Sequence, residues 1–258
     1  MTDGAVKRAE IADVVRMLDA LTPVQVDVVH AIIKSFADKQ ENELLRNDFL
    51  SEEAFEYFAM RLAAHHAFSS HVLKKENFEH ILEEAFKRTG VPTQRAKSKT
   101  LRGADLTVNG VTLSLKTEGA RDLRPSQIVI SKLMEAAWIK QIKTTADIPA
   151  YVAKMVLPHF ENYDRIFILR SYPDPIRRGY TRYDLREIPK DLLQRIGDLT
   201  AASFTVLTEK RSTAATIKLD GRPAFQFRLD GSDDKLTIGQ LDVDLCPLHA
   251  WWSLVTPD

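Results

Sequence analysis

Asp105 and Lys116 are the two residues of this chain whose types and spacing most suggest chemistry. They lie in two short alternating runs, Ala104–Val108 and Val111–Thr117, joined by Asn109-Gly110. Asn-Gly between such runs is a strong signal for a two-residue hairpin turn, so the acid and the lysine are expected on neighbouring strands. Strand alternation then puts Ser114, Lys116 and Glu118 on one face and Leu113 and Leu115 on the other. An apolar face packs into a core, which leaves the polar face to line a cleft. A lysine flanked by acids at such an edge is costly to desolvate without a reason. Phosphodiester hydrolysis supplies one. Carboxylates hold Mg²⁺ through oxygen ligands, and the ion neutralises the transition state and acidifies its bound water. A lysine beside that water can orient it, take its proton or stabilise the developing negative charge.

The pattern resembles the PD-(D/E)XK nuclease motif, an acid on one strand followed by acid-x-Lys on the next. Ser114 stands where that motif has its second acid. Two carboxylates could replace it. Glu118 lies two residues beyond Lys116 on the same strand face. Glu135 is expected one turn into a helix running from about Lys132 to Ile142, and is preferred because some restriction enzymes of this superfamily carry the acid there. The resemblance also implies a metal-facing glutamate on the helix before the hairpin, for which Glu79 in Phe78-Glu79-His80 is the best match, with Glu83 one turn further on. The expected catalytic set is therefore Asp105, Lys116 and Glu135, with Glu118 as the alternative acid; the expected Mg²⁺ ligands are Asp105, Glu135 and Glu79.

These residues need elements to hold them. Helical spacing marks Ile11 to Leu21, a second helix opened by Thr22-Pro23 and running to about Phe36, a third around Phe55–Ala63, and a fourth around Phe78–Phe86 closed by Gly90. Ile128–Ile130, Arg165–Arg170 and Tyr180–Glu187 read as strands, and Pro189–Ile196 as a short helix. The last stretch alternates over Phe204–Leu207, Ala215–Leu219, Phe225–Leu229 and Lys235–Ile238, with turns at Asp220-Gly221 and Asp230-Gly231. The expected architecture is a mixed α+β, restriction-endonuclease-like fold in a single domain. A helical N-terminal layer spans about 1–75, a catalytic core 76–196 and a β-rich region 197–258.

Composition adds bounds. The chain has 258 residues, with 36 basic and 36 acidic side chains and a formal net charge of zero, so DNA contact must come from local patches. No apolar run is long enough for a membrane span, and the N-terminus lacks a secretory apolar core. Cys246 is the only cysteine, which excludes an internal disulfide and fits the cytoplasm. The cations nearest the hairpin are Arg95, Lys97, Lys99 and Arg102 before it, and Arg121, Arg124 and Lys132 after it. Arg178 in the segment 177–182 and Lys210-Arg211 form a second group. Such side chains hold phosphates, and arginine can also read guanine. His65-His66 points apart on a helix and reads as a packed pair. Cys246-Pro-Leu-His249 is too sparse for a zinc site, and Trp251-Trp252 reads as core or interface.

Across most of its length the chain resembles the SmaI family of type II restriction endonucleases. The resemblance rests on collinear blocks: Arg61–Ser69 (RLAAHHAFS), Phe78-Glu79-His80, Asp105 with Leu115–Glu118, Ile130-Ser131-Lys132, and Met134-Glu135. Further blocks are Glu161-Asn162-Tyr163, Arg165–Arg170, Glu187–Lys190, and Cys246 with His249 and Trp252. It implies a homodimer that cuts a GC-rich palindromic duplex, CCCGGG being the family's type sequence, with Mg²⁺ and leaving 5′-phosphate ends. It also implies a cognate DNA methyltransferase. Two other readings stay open: a repair or recombination nuclease with the same core, and, given Ser114, an inert DNA-binding module.

Overall fold

The computed structural model describes residues 3–96, 104–119 and 123–256, with side chains from residue 10 onward. Helices α1 (Asp3–Leu18), α2 (Pro23–Ala37), α3 (Glu52–His66) and α4 (Lys75–Arg88) form the N-terminal part, with strand β1 (Glu41–Leu44) between α2 and α3. Thr22 caps α2 through a reciprocal capping box with Gln25, and Pro23 follows at its first turn. Ser51 caps α3. In α4 the apolar residues Phe78, Ile81, Leu82, Ala85 and Phe86 repeat at helical spacing, and all are buried.

Strands β2 (Thr93–Arg95), β3 (Leu106–Val108) and β4 (Val111–Glu118) lead to β5 (Gln127–Glu135). After a helical stretch over Ala137–Phe160, which contains Pro149 and Pro158, come β6 (Arg165–Pro173) and β7 (Tyr180–Ile188). The chain ends with β8 (Thr213–Leu219), β9 (Arg222–Asp230), β10 (Lys235–Asp242) and β11 (Leu248–Val255). Asn109 and Gly110 have φ of 48° and 82°, the two positive values that a type I′ hairpin turn requires.

Two sheets result. The first has seven strands in the order β1-β11-β7-β6-β4-β3-β2, with β4 and β6 parallel and its other pairings antiparallel; the second is antiparallel, in the order β5-β10-β9-β8. Helices α3 and α4 cover one face of the first sheet, meeting Leu113, Leu115, Phe167, Leu169 and Trp252. The opposite face, carrying Ile166 and Ile168, shares a core with the second sheet (Ile128, Ile130, Phe227, Ile238) and with the helical stretch (Val152, Val156, Phe160). Lys116 pairs with Ile168 and so belongs to the face turned toward the second sheet.

Two sequence expectations are corrected, and one strand was not foreseen. No helix runs over 132–142: the segment Gln127–Glu135 is one continuous strand, because Ile128, Ile130 and Met134 are buried against β10, and only a 3-10 turn follows at Ala137–Gln141. Phe204–Leu207 contributes a single bridge, Phe204 to Ala215, rather than a strand. The turn expected at Asp230-Gly231 is present and spans residues 231–234. The C-terminal β11, unforeseen, joins β7 in the first sheet and carries the fully buried Trp252. Among the described residues no helix is long and apolar enough to cross a membrane.

Candidate active site at the open edge of β4

Asp105 ends the β3–β4 ladder. Its backbone N–H donates to the carbonyl of Leu113 (2.8 Å), while its carboxylate Oδ2 accepts from the N–H of Leu115 (2.7 Å). The side chain thus takes over the hydrogen bond that a longer β3 would have made, and it is fixed at the point where β4 becomes an open edge. Its other oxygen, Oδ1, accepts from the Lys75 ammonium at 2.7 Å. Lys75 opens α4, and the same Nζ lies 3.3 Å from Glu79, one turn along the helix. Two carboxylates from different elements therefore converge on a single cation.

Electrostatics tie Lys116 to this group. Burial, reinforced by the neighbouring positive charge of Lys75, brings the Lys116 ammonium down to about 8, against the opposing pull of Asp105 and Glu79; Lys132 adds a further lowering. Burial raises Glu79 above the usual carboxylate range, with the Asp105 charge adding to the rise and Lys75 opposing it. Burial would lower Lys75, but Asp105 and Glu79 outweigh it and hold the ammonium charged. Asp105, Lys116 and Glu79 are thus brought together, and the sequence reading missed Lys75. A lysine opening a helix looks like any solvated charge; only its spacing of four from Glu79 hints at the pair.

The two replacement acids fare differently. Glu118 is buried, and its Oε2 accepts from Nε of the fully buried Arg170 (2.6 Å) while Oε1 accepts from the N–H of Val129 (2.9 Å). Arg170 also donates to the carbonyls of Arg124, Pro125 and Gln127, so this pair fastens the loop after β4 to the first sheet. Glu135 lies at the far end of β5, is exposed, and pairs with Lys132. The helix expected to aim it inward is a strand, and the one ion pair it makes among the described residues is with Lys132. Glu83 turns toward Lys87 and Arg95 instead of the hairpin.

Of the expected DNA contacts, Lys97, Lys99, Arg102 and Arg121 lie outside the described residues. Arg95 is exposed beside α4, 3.6 Å from Glu83, and Lys132 is exposed near Lys116. Arg124 is exposed and lines a crevice that continues from the end of β4. Arg178 is exposed in the β6–β7 turn. Lys210 and Arg211 sit near the other end of the second sheet, where the Lys210 carbonyl packs against Gly231 and Arg211 donates to the carbonyl of Lys143.

Elsewhere, His65 and His66 are hydrogen-bonded to the carbonyls of His71 and Ser69, and burial holds His66 down to about 4. Cys246 is buried in the core between the sheets. His249 instead packs against Phe49 and Phe167 on the helix-covered side and meets Asp48 and Glu187. Asp48, Glu187 and His249 offer ligand atoms within 4.8 Å of one another. Arg165 already donates to both carboxylates, and Glu187 and Asp48 meet different ring nitrogens of His249. That set is an ion network with a resident cation of its own.

The edge of β4 has oxygen donors, a resident cation that is a single ammonium, and beside them a lysine brought down to about 8. The comparisons with known proteins agree with this chemistry. The family of SmaI-type, type II site-specific deoxyribonucleases matches residues 16–254. The chain belongs to that family. It is 30% identical over 231 residues to the type II restriction enzyme SmaI of Serratia marcescens, covering 87% of this chain and 89% of that protein. No solved structure matches. Membership of this family makes the chain a phosphodiester hydrolase acting on DNA, a class that uses a divalent cation. Glu79 and Asp105 suit one: both are carboxylates, the donor type that hard cations take, and they already share an ammonium.

Proposed function

We propose that this SmaI-family member cuts both strands of a short GC-rich palindrome, CCCGGG or a close variant, using Mg²⁺ held by Asp105 and Glu79. The observation that carries this reading is the convergence of those two carboxylates on the Lys75 ammonium, next to a lysine brought down to about 8. The bound ion supplies Lewis acidity and charge neutralisation at the scissile phosphate. Lys116 Nζ does the rest that this chain offers there: near neutral pH it donates to an oxyanion, and a modest further fall lets it accept a proton from the attacking water. The Leu115 N–H holds the Asp105 carboxylate in its orientation. Glu118 serves as the anchor of Arg170, and Glu135 as the partner of Lys132.

Two copies act together in this reading, since a palindrome presents two equivalent bonds. Helices α1 and α2 support it. Ile11, Val14, Met17, Val24, Ile33 and Phe36 are all exposed on them, and α2 buries none of its residues, leaving an apolar surface for a second copy to cover. The enzyme would work in the cytoplasm beside a methyltransferase that protects the host's own sites. Digestion of a plasmid carrying one CCCGGG, with Mg²⁺, followed by sequencing of the ends, tests the proposal. A single linear product with 5′-phosphate ends at that site is the expected result. Cutting at a different defined site overturns the sequence, and absence of any cutting overturns the reading.

A further inference from the structure

Directly beyond Lys116, the crevice of about 510 Å³ runs between the end of β4 and the outer, solvent-facing side of the second sheet. We propose that this sheet face reads base edges in the major groove, with Arg228 taking a guanine and Gln240 a neighbouring base, while Arg124 faces them from the opposite wall. The inference rests on the DNA-cleaving reading above and deepens it.

Three features single out these residues. First, burial alternates over Gln226–Leu229 of β9 and Leu236–Ile238 of β10: Phe227, Leu229, Leu236 and Ile238 are buried, so Gln226, Arg228 and Thr237 point outward, toward the side that faces the crevice. Second, Arg228 is positioned. Its Nε donates to the Gln226 Oε1 at 2.6 Å, and among the described residues it pairs with no carboxylate. Gly239 lies alongside; a Cβ there would come within 3.4 Å of the guanidinium carbon, so glycine gives the planar group room against the strand. A guanidinium held by an amide and left without an acid is poised for an external acceptor, and its fork matches guanine O6 and N7.

Third, β10 is bulged between Ile238 and Leu241, and the bulge holds Gln240 at φ 52°. A non-glycine residue there is strained, and bulges beside active sites commonly re-aim a side chain. Here the exposed amide, which both donates and accepts, lines the crevice.

The test compares binding of the enzyme, with Ca²⁺ replacing Mg²⁺ to block cutting, to its own site and to a scrambled duplex of equal length. Arg228→Ala is expected to weaken binding to the site roughly 10- to 100-fold, leaving scrambled DNA and the salt dependence nearly unchanged. Gln240→Gly relieves the positive φ, so it should melt no lower than the wild type yet lose discrimination in the same direction. Equal weakening on both duplexes with a shallower salt slope would mean phosphate contact and overturn the inference. Unchanged discrimination in both variants would overturn it too, while wild-type cutting at a defined site would leave the nuclease reading standing. A wild type that cuts at no defined site removes both.

Discussion

Two clusters of carboxylates and cations sit on the same sheet and use their cations in opposite ways. On the helix-covered side, Arg165 grips Glu187 through Nε and Nη2, at 2.8 and 2.6 Å, and extends to Asp48, while His249 packs between the two acids. The bonds from Arg165 and His249 outweigh burial and bring Glu187 down to about 2. At the open edge of β4, a single lysine ammonium bridges Glu79 and Asp105, and burial keeps Glu79 above its ordinary range. A planar guanidinium fork satisfies a carboxylate in a fixed geometry; an ammonium on a flexible stem is a point charge that can be displaced. On the reading proposed above, the difference separates an anchor from a site.

The largest effect expected from this contrast is on catalysis. Asp105→Asn or Lys116→Met should each reduce plasmid cleavage by about 10³-fold or more while the melting transition stays within a few degrees. Glu187→Gln should do the reverse: it breaks a bidentate pair and costs on the order of 1–3 kcal/mol in denaturant unfolding, yet the folded enzyme keeps cutting. Cleavage surviving in Asp105→Asn would break the comparison at once.

Next in size is the choice among the acids. Glu79→Gln should cut activity by roughly 10²-fold and raise the Mg²⁺ needed for half-maximal cleavage. Glu135→Ala should leave cleavage within a few-fold of the wild type. Glu118→Ala should instead lower stability by about 3–5 kcal/mol, because it strands the buried Arg170. Steady-state cleavage and urea unfolding of the three variants separate these outcomes.

The smallest effect is in acid. A carboxylate whose folded value lies below its ordinary 4.5 stabilises the protein above that pH, and the contribution is lost as pH falls through the folded value. Wild-type stability should therefore decline more steeply than that of Glu187→Gln between about 4.5 and about 2. Equal slopes would mean that Arg165 and His249 do not hold Glu187 as described.

What the sequence revealed divides along the same line. The four helices, the Asn109-Gly110 hairpin, and the meeting of Asp105 with Lys116 rest on periodicity and one turn, which are local signals. The helix assigned over 132–142 failed because Ile128, Ile130 and Met134 are buried by β10, a strand far away in sequence. That error carried Glu135 with it. Glu118 looked free for a metal because its partner, Arg170, arrives from β6. β11 was missed although Leu248, Ala250, Trp252 and Leu254 alternate along it; its pairing with β7 and β1 is long-range. Lys75, Arg228 and Gln240 depend on long-range packing or on a bulge, neither of which leaves a pattern in the chain.

The central claim is that the Lys75 ammonium marks the place of the catalytic cation. Mn²⁺ binding, followed by electron paramagnetic resonance on the DNA-bound Lys116→Met enzyme, addresses it most directly. Adding Lys75→Met should tighten Mn²⁺ binding several-fold by removing a competing charge, and adding Asp105→Asn should weaken it at least 10-fold. Binding indifferent to both substitutions, and lost instead on replacing Asp48 or His249, would put the ion in the other cluster and contradict the account.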